Sequence, residues 1–194
     1  MARTLTGSHA KAPSWGCVHG RFQPFHNGHL EYALHARQRC ERLIVGITAP
    51  DPTAARKEAA SAHRHEPASN PFTYFERLLM IREALLAGGL KPRGFAVVPF
   101  PIHEPGLVGH YVPEGTVHFI RVCSRWEEGK ARRLCDVGAT VEILDGGGEK
   151  RISGAEVRRR LREALPGESL VPRSTAEIVR RILAEDPSRL LGRA

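Results

Sequence analysis

A chain of 194 residues with 41% hydrophobic side chains has the size of one domain and enough apolar surface for a core, and it contains no 18-residue apolar run that would make a membrane-spanning helix. Its four cysteines, Cys17, Cys40, Cys123 and Cys135, show no Cys-x-x-Cys spacing, which argues against a zinc site or disulfide frame and fits a reducing cytoplasm. The formal charge of +8 calls for an anionic partner, either nucleic acid or a polyphosphate; no aromatic residues interleave the arginine clusters, so nucleic acid is not expected and most of these arginines read as solvated helix faces.

Residues 1–14 carry Arg3 and Lys11 but no apolar signal segment, and are read as a disordered leader to a domain spanning 15–194. Strands are predicted at Trp15–His19, Leu43–Thr48, Phe95–Phe100, Val117–Val122 and Val141–Leu144, the inner ones apolar on both parities. Helical patterns lie between them at Asn27–Cys40, Tyr74–Ala87 (stopped by Gly88-Gly89) and Trp126–Val137. A basic helical tail runs from about residue 153, with a last helix at Ser174–Glu185. This alternation predicts an α/β fold: a Rossmann-like, doubly wound, parallel five-stranded sheet with a helical C-terminal segment. Two long irregular stretches remain, Ala49–Pro71 and His103–Gly115.

The first strand runs into Gly20-Arg21-Phe22-Gln23-Pro24-Phe25-His26-Asn27-Gly28-His29. Asn27 is the expected N-cap of the helix that follows. A strand, a tight turn and a helix N-terminus form a ready anion site, because orphan N–H groups and the positive helix end face the turn. His26 and His29 are three apart and can face the same spot, and Gly28 lets a phosphate approach the backbone.

This stretch resembles the His-x-Gly-His signature of the nucleotidylyltransferase superfamily, in particular the archaeal-type nicotinamide mononucleotide adenylyltransferases. The resemblance implies catalytic roles for His26, His29 and Arg21 in stabilising the transferring phosphoryl group and the leaving pyrophosphate. It assigns Gly20, Phe22, Gln23 and Gly28 to the nucleotide. A second segment, Ile152-Ser153-Gly154-Ala155-Glu156-Val157-Arg158, has the sequence of a helix start with a Ser153–Glu156 capping box. It resembles the Ile-Ser-x-Thr-x-x-Arg motif of the family, which implies that Ile152, Ser153 and Arg158 hold the triphosphate; Ala155 stands where that motif has threonine. A third segment, Asn70-Pro71-Phe72-Thr73-x-x-Glu76-Arg77, resembles another stretch of the same adenylyltransferases; Arg77 faces either the acceptor or solvent.

Two departures point away from an ordinary adenylyltransferase. The small turn that family places after its fourth strand is here Ser124-Arg125-Trp126, where Trp126 either stacks on a base or covers the sheet edge. The loop before Asn70 contains His63-Arg64-His65, suited to a compact anionic acceptor or simply solvated. These features resemble a subgroup from phosphonate antibiotic pathways, the CTP:phosphonoformate cytidylyltransferases. The implied reaction is CMP transfer from CTP to a small phosphonate with release of pyrophosphate, with Mg²⁺ bridging the phosphates, no protein-held metal and a homo-oligomer compatible with the family. The alternatives are a nicotinamide or nicotinate mononucleotide adenylyltransferase and, outside enzymes, a nucleotide-sensing or RNA-binding domain.

Overall fold

The computed structural model describes residues 12–51, 66–144 and 152–191. Five strands, β1 (Trp15–Gly20), β2 (Arg42–Thr48), β3 (Phe95–Phe100), β4 (Val117–Arg121) and β5 (Thr140–Leu144), form one sheet in the order β3-β2-β1-β4-β5. Every pairing is parallel. The predicted doubly wound α/β architecture is therefore present. β1 pairs with β2 on one side and β4 on the other, so the strand order reverses beside it. In such sheets the ligand crevice lies outside the carboxyl ends of the strands at this reversal. Here that point is Gly20 and the turn after it.

The helices are α1 (Asn27–Arg37), α2 (Tyr74–Ala87), α3 (Arg125–Asp136), α4 (Gly154–Arg162) and α5 (Arg173–Glu185). One face of the sheet buries Val18, Val45, Ile47 and Phe119 against α1, α2 and α5, through Ala33, Met80, Ile81, Leu85 and Val179. The other buries Cys17, Ile44 and Ile120 against Leu134 of α3 and against Val108 in the 3-10 segment Pro105–His110. Removing these side chains from water is the main favourable term in the fold.

The helix ends show where local chemistry decided the boundary. α2 starts on the predicted capping box: Thr73 Oγ1 accepts from Glu76 N at 3.2 Å, and Thr73 N donates to Glu76 Oε2 at 2.7 Å. α1 does not start on Asn27 as a cap. His26 holds that position with an extended backbone, its N–H donating to His29 Nδ1 at 3.3 Å. Asn27 is already helical and its amide donates to Ser169 O at 2.9 Å. α1 also ends at Arg37, short of the predicted Cys40. In α4 only half of the expected box forms. Ser153 Oγ accepts from Glu156 N, but the Glu156 carboxylate is taken by Arg159 and Arg160. The hydrogen bonds from these two arginines hold its pKa down at about 2.

The C-terminal segment folds back onto α2. Arg189 reaches both carboxylate oxygens of Glu76 at 2.9 Å and donates to Pro71 O at 3.0 Å. The bidentate fork suits guanidinium–carboxylate geometry and ties the tail to the start of α2.

Candidate active site

The turn after β1 is built from buried aromatics. Phe22 and Phe25 are buried, and Phe22 adopts φ +54°, left-handed for a residue with a Cβ. Such a conformation costs energy and persists where neighbours over-determine it. The Phe22 ring meets His29 edge-on at 4.9 Å, and Phe25 lies 5.7 Å from the same imidazole. His26 and His29 stack with ring centroids 3.5 Å apart and 19° between planes. The structure thus brings the two predicted catalytic histidines together at the N-terminus of α1. Because His29 Nδ1 accepts from the His26 amide, the neutral His29 ring carries its proton on Nε2. A Cβ on Gly28 would lie 3.3 Å from His26 Nδ1 and 4.0 Å from Ile152 Cβ, so Ile152 closes on the cradle from the second motif.

α4 is seated on this turn. A Cβ at Gly154 would fall 2.9 Å from Gln23 O, so glycine permits the contact. Arg158 Nη1 donates to the same carbonyl at 2.6 Å. Arg158 is buried; desolvation, with the nearby Arg162 charge, lowers its pKa to about 10. It lines a groove with Arg162, Ala155 and Ser69, so part of its guanidinium fork fixes the turn while the side chain borders open space. Ser153 is the N-cap of α4, with its hydroxyl engaged by the Glu156 amide.

Gln23 does not present its amide to the crevice. Nε2 donates to Phe72 O at 2.8 Å, and Oε1 accepts from Phe72 N at 3.0 Å. The amide latches the turn to the Asn70-Pro71-Phe72 segment. Arg21 Nη1 donates to Asn70 Oδ1 at 3.2 Å, joining the same two segments.

Arg77 faces neither acceptor nor solvent, correcting both expectations for it. It is 1% exposed, and its guanidinium donates to four backbone carbonyls: Thr73 (3.1 Å), Arg21 (2.9 Å), Thr48 (3.0 Å) and Ala49 (2.9 Å). Ala49, like Phe22, has a positive φ, +48°. Arg77 therefore clamps the carboxyl ends of β1 and β2 beside two left-handed residues. It is a positioning residue.

Ser124 caps α3, accepting from Trp126 N at 3.3 Å and donating to Glu127 Oε2. The Trp126 ring sits 5.3 Å from the Lys130 ammonium, a cation–π contact. Lys130 Nζ donates to His19 O at 3.2 Å, at the end of β1. His63, Arg64 and His65 lie outside the described residues. Among the described residues no group of three or more His, Cys, Asp or Glu side chains is placed to hold a metal ion, and no helix is long and apolar enough to cross a membrane.

Sequence reasoning missed His19, His118, Lys130 and Arg189. The available signal was a histidine among the apolar residues of each of two strands and the i,i+4 spacing of Trp126 and Lys130.

Comparison with known proteins agrees with this geometry. Residues 17–160 match the family model described as cytidylyltransferase-like. The chain is 41% identical to a phosphonoformate cytidylyltransferase from Streptomyces viridochromogenes, over 85% of this chain and 90% of that protein. It is 30% identical to a nicotinamide-nucleotide adenylyltransferase from Thermococcus kodakarensis, over 91% of this chain and 87% of the relative. A bifunctional NMN adenylyltransferase/ADP ribose pyrophosphatase from Francisella tularensis superimposes with a TM-score of 0.65 at 14% identity. That match spans 91% of this chain but about half (51%) of the larger protein, and supports the fold. With the two motifs in contact beyond β1 and the family model covering most of its length, the chain belongs to the cytidylyltransferase-like family and is a nucleotidyltransferase.

Proposed function

We propose that this enzyme transfers CMP from CTP to a small phosphonate such as phosphonoformate, releasing pyrophosphate. The observation that carries the reading is the 41% identity to a phosphonoformate cytidylyltransferase across nearly the whole of both chains, against 30% to the adenylyltransferases. The helix start Ser124-Arg125-Trp126, which stands where the adenylyltransferases have a small turn, supports it.

A phosphonate oxygen, already ionised near neutral pH, attacks the α-phosphorus of CTP. The new P–O bond forms as the bond to the bridging oxygen of pyrophosphate breaks. No general base is needed, so the protein contributes positioning and charge stabilisation. The N-terminus of α1, His26 and His29 would meet the phosphoryl oxygens, with Arg21 beside them. Arg158 and the Ser153 end of α4 would hold the triphosphate tail. Mg²⁺ belongs to the substrate in this reading, held by phosphate oxygens and water. The free cysteines, two of them buried, suit a cytoplasmic setting.

The test is a pyrophosphate-release screen of four nucleoside triphosphates against phosphonoformate, other small phosphonates and nicotinamide mononucleotide. CTP with phosphonoformate is expected to be the best pair. Efficient use of ATP with nicotinamide mononucleotide, and none of CTP, would establish the adenylyltransferase alternative. No pyrophosphate release with any of the acceptors would point to a domain that only binds nucleotide.

A further inference from the structure

Three basic side chains are buried together on the α3 side of the sheet, outside the phosphate cradle. His19, near the carboxyl end of β1, is 2% exposed; His118 on the adjacent β4 is also 2% exposed; Lys130 from α3 is 4% exposed. The His19 ring stacks on Phe100 at 4.4 Å, and its centroid lies 5.6 Å from that of His118. Phe100 can fold across β2 because Gly46 lies beneath it; a Cβ there would fall 2.8 Å from the phenyl ring. Lys130 holds the His19 carbonyl and carries Trp126 over its ammonium.

Neither ring nitrogen of His19, nor Nδ1 of His118, has a hydrogen-bond partner among the described residues. A neutral imidazole carries one N–H and one lone pair, and buried polar groups in native proteins are nearly always satisfied. Burial and the Lys130 charge keep both rings neutral, lowering the His118 pKa to about 4 and that of His19 well below its usual value. A phenylalanine or valine would fill these strand positions without orphaned polar atoms. The polarity must therefore serve something other than packing. Position says what: His19 immediately precedes Gly20, at the start of the turn that bears His26 and His29, and His118, opposite Cys17 in the parallel register, packs against it from deeper in the sheet.

We propose that His19 and His118, backed by Lys130, are the acceptor-recognition group, donating hydrogen bonds to a carboxylate carried beside the acceptor's phosphonate. The inference rests on the phosphonate reading above and names the part of the acceptor that the protein distinguishes. A carboxylate directly on the phosphonate stays close to the reacting oxygen, and His19 is one residue from the cradle turn. The proposal thus places acceptor selectivity on the α3 side of the sheet.

The test uses His19→Phe, which keeps a ring to stack on Phe100 and removes both nitrogens. Its thermal midpoint should equal or exceed that of the wild type, since an unsatisfied polar group is replaced by an apolar one. KM for phosphonoformate should rise about tenfold or more, while KM for CTP stays within about twofold. Discrimination between phosphonoformate and methylphosphonate, which lacks the carboxylate, should collapse. His19→Asn and His118→Asn keep a side-chain N–H and should retain part of that selectivity; they decide the matter if His19→Phe does not fold. Unchanged selectivity in folded variants would overturn the inference alone. So would a loss of CTP affinity and thermal stability in equal measure, which marks a structural role. A wild-type enzyme inactive with every phosphonate would overturn the functional reading and this inference with it.

Discussion

Two groups of buried polar side chains, one on each face of the sheet, are used in opposite ways. On the face covered by α1, α2 and α5, Arg77 and Gln23 are spent on backbone. Arg77 serves four carbonyls, and Gln23 pairs with both backbone groups of Phe72. On the face covered by α3, His19 and His118 keep ring nitrogens without a partner. The first arrangement is what a rigid frame needs, since each satisfied carbonyl removes a desolvation cost. The second is what a recognition surface needs, where hydrogen-bonding capacity is reserved for a ligand. The turn that bears His26 and His29 starts one residue beyond His19 and is tied down by Arg77 and Gln23.

The largest effect should come from breaking the frame. Arg77→Met leaves four backbone carbonyls without their donor and releases two left-handed residues; a loss of order 3–5 kcal/mol is expected, read by chemical denaturation. Wild-type stability in Arg77→Met would mean that the clamp is not structural, and the contrast between the two faces would fail. His29→Ala should do the reverse: stability within about 1 kcal/mol of wild type, with turnover reduced by two orders of magnitude or more, the usual scale for loss of one charge stabiliser. His26→Ala should behave likewise.

Acidification separates the faces a third way. The folded-state pKa of His118 is depressed to about 4, against a usual value of 6.5. Between those values the unfolded chain binds more protons than the folded one, so stability rises with pH across the window and is lost as pH falls from 6.5 toward 4. His118→Asn should flatten this slope in thermal melts recorded from pH 7 to pH 5. An unchanged slope would place the acid sensitivity elsewhere.

Much of the fold and the cradle was legible in the sequence because both rest on local chemistry. The apolar runs Leu43–Thr48 and Phe95–Phe100 and the glycine stops after α2 and α3 gave elements within a few residues of those observed. His26 and His29 could be paired from helical spacing alone. What was not legible depended on long-range partners. Asn27 has the better intrinsic capping chemistry, yet His26 caps α1 because His29 takes its amide and Ser169 takes the Asn27 side chain. Arg77 looked like a surface or ligand residue because nothing local shows that the ends of β1 and β2 converge on it. Glu156 had two competing partners, and the arginines in the next turn won over the amide of its own cap. The orphan state of His19 became visible only once Phe100, reaching over Gly46, had closed on it.

Smaller effects sharpen the contrast within α4. Arg158→Lys cannot both hold Gln23 O and fork to phosphate, and should lower kcat/KM for CTP by about an order of magnitude. Arg160, paired with Glu156 and the Pro166 carbonyl, should tolerate glutamine with activity within about twofold and stability within about 0.5 kcal/mol. If Arg160 proved the sensitive position, the face of α4 assigned to the triphosphate would be wrong.

The central claim is the transfer itself, and the product tests it most directly. Phosphorus NMR of the enzyme with CTP, Mg²⁺ and phosphonoformate should show two new coupled signals, one from the phosphonate and one from the CMP phosphate joined to it, growing together with pyrophosphate. ATP with nicotinamide mononucleotide under the same conditions should give little or no dinucleotide. Coupled signals only from the second mixture, with CTP and phosphonoformate unchanged, would contradict the account.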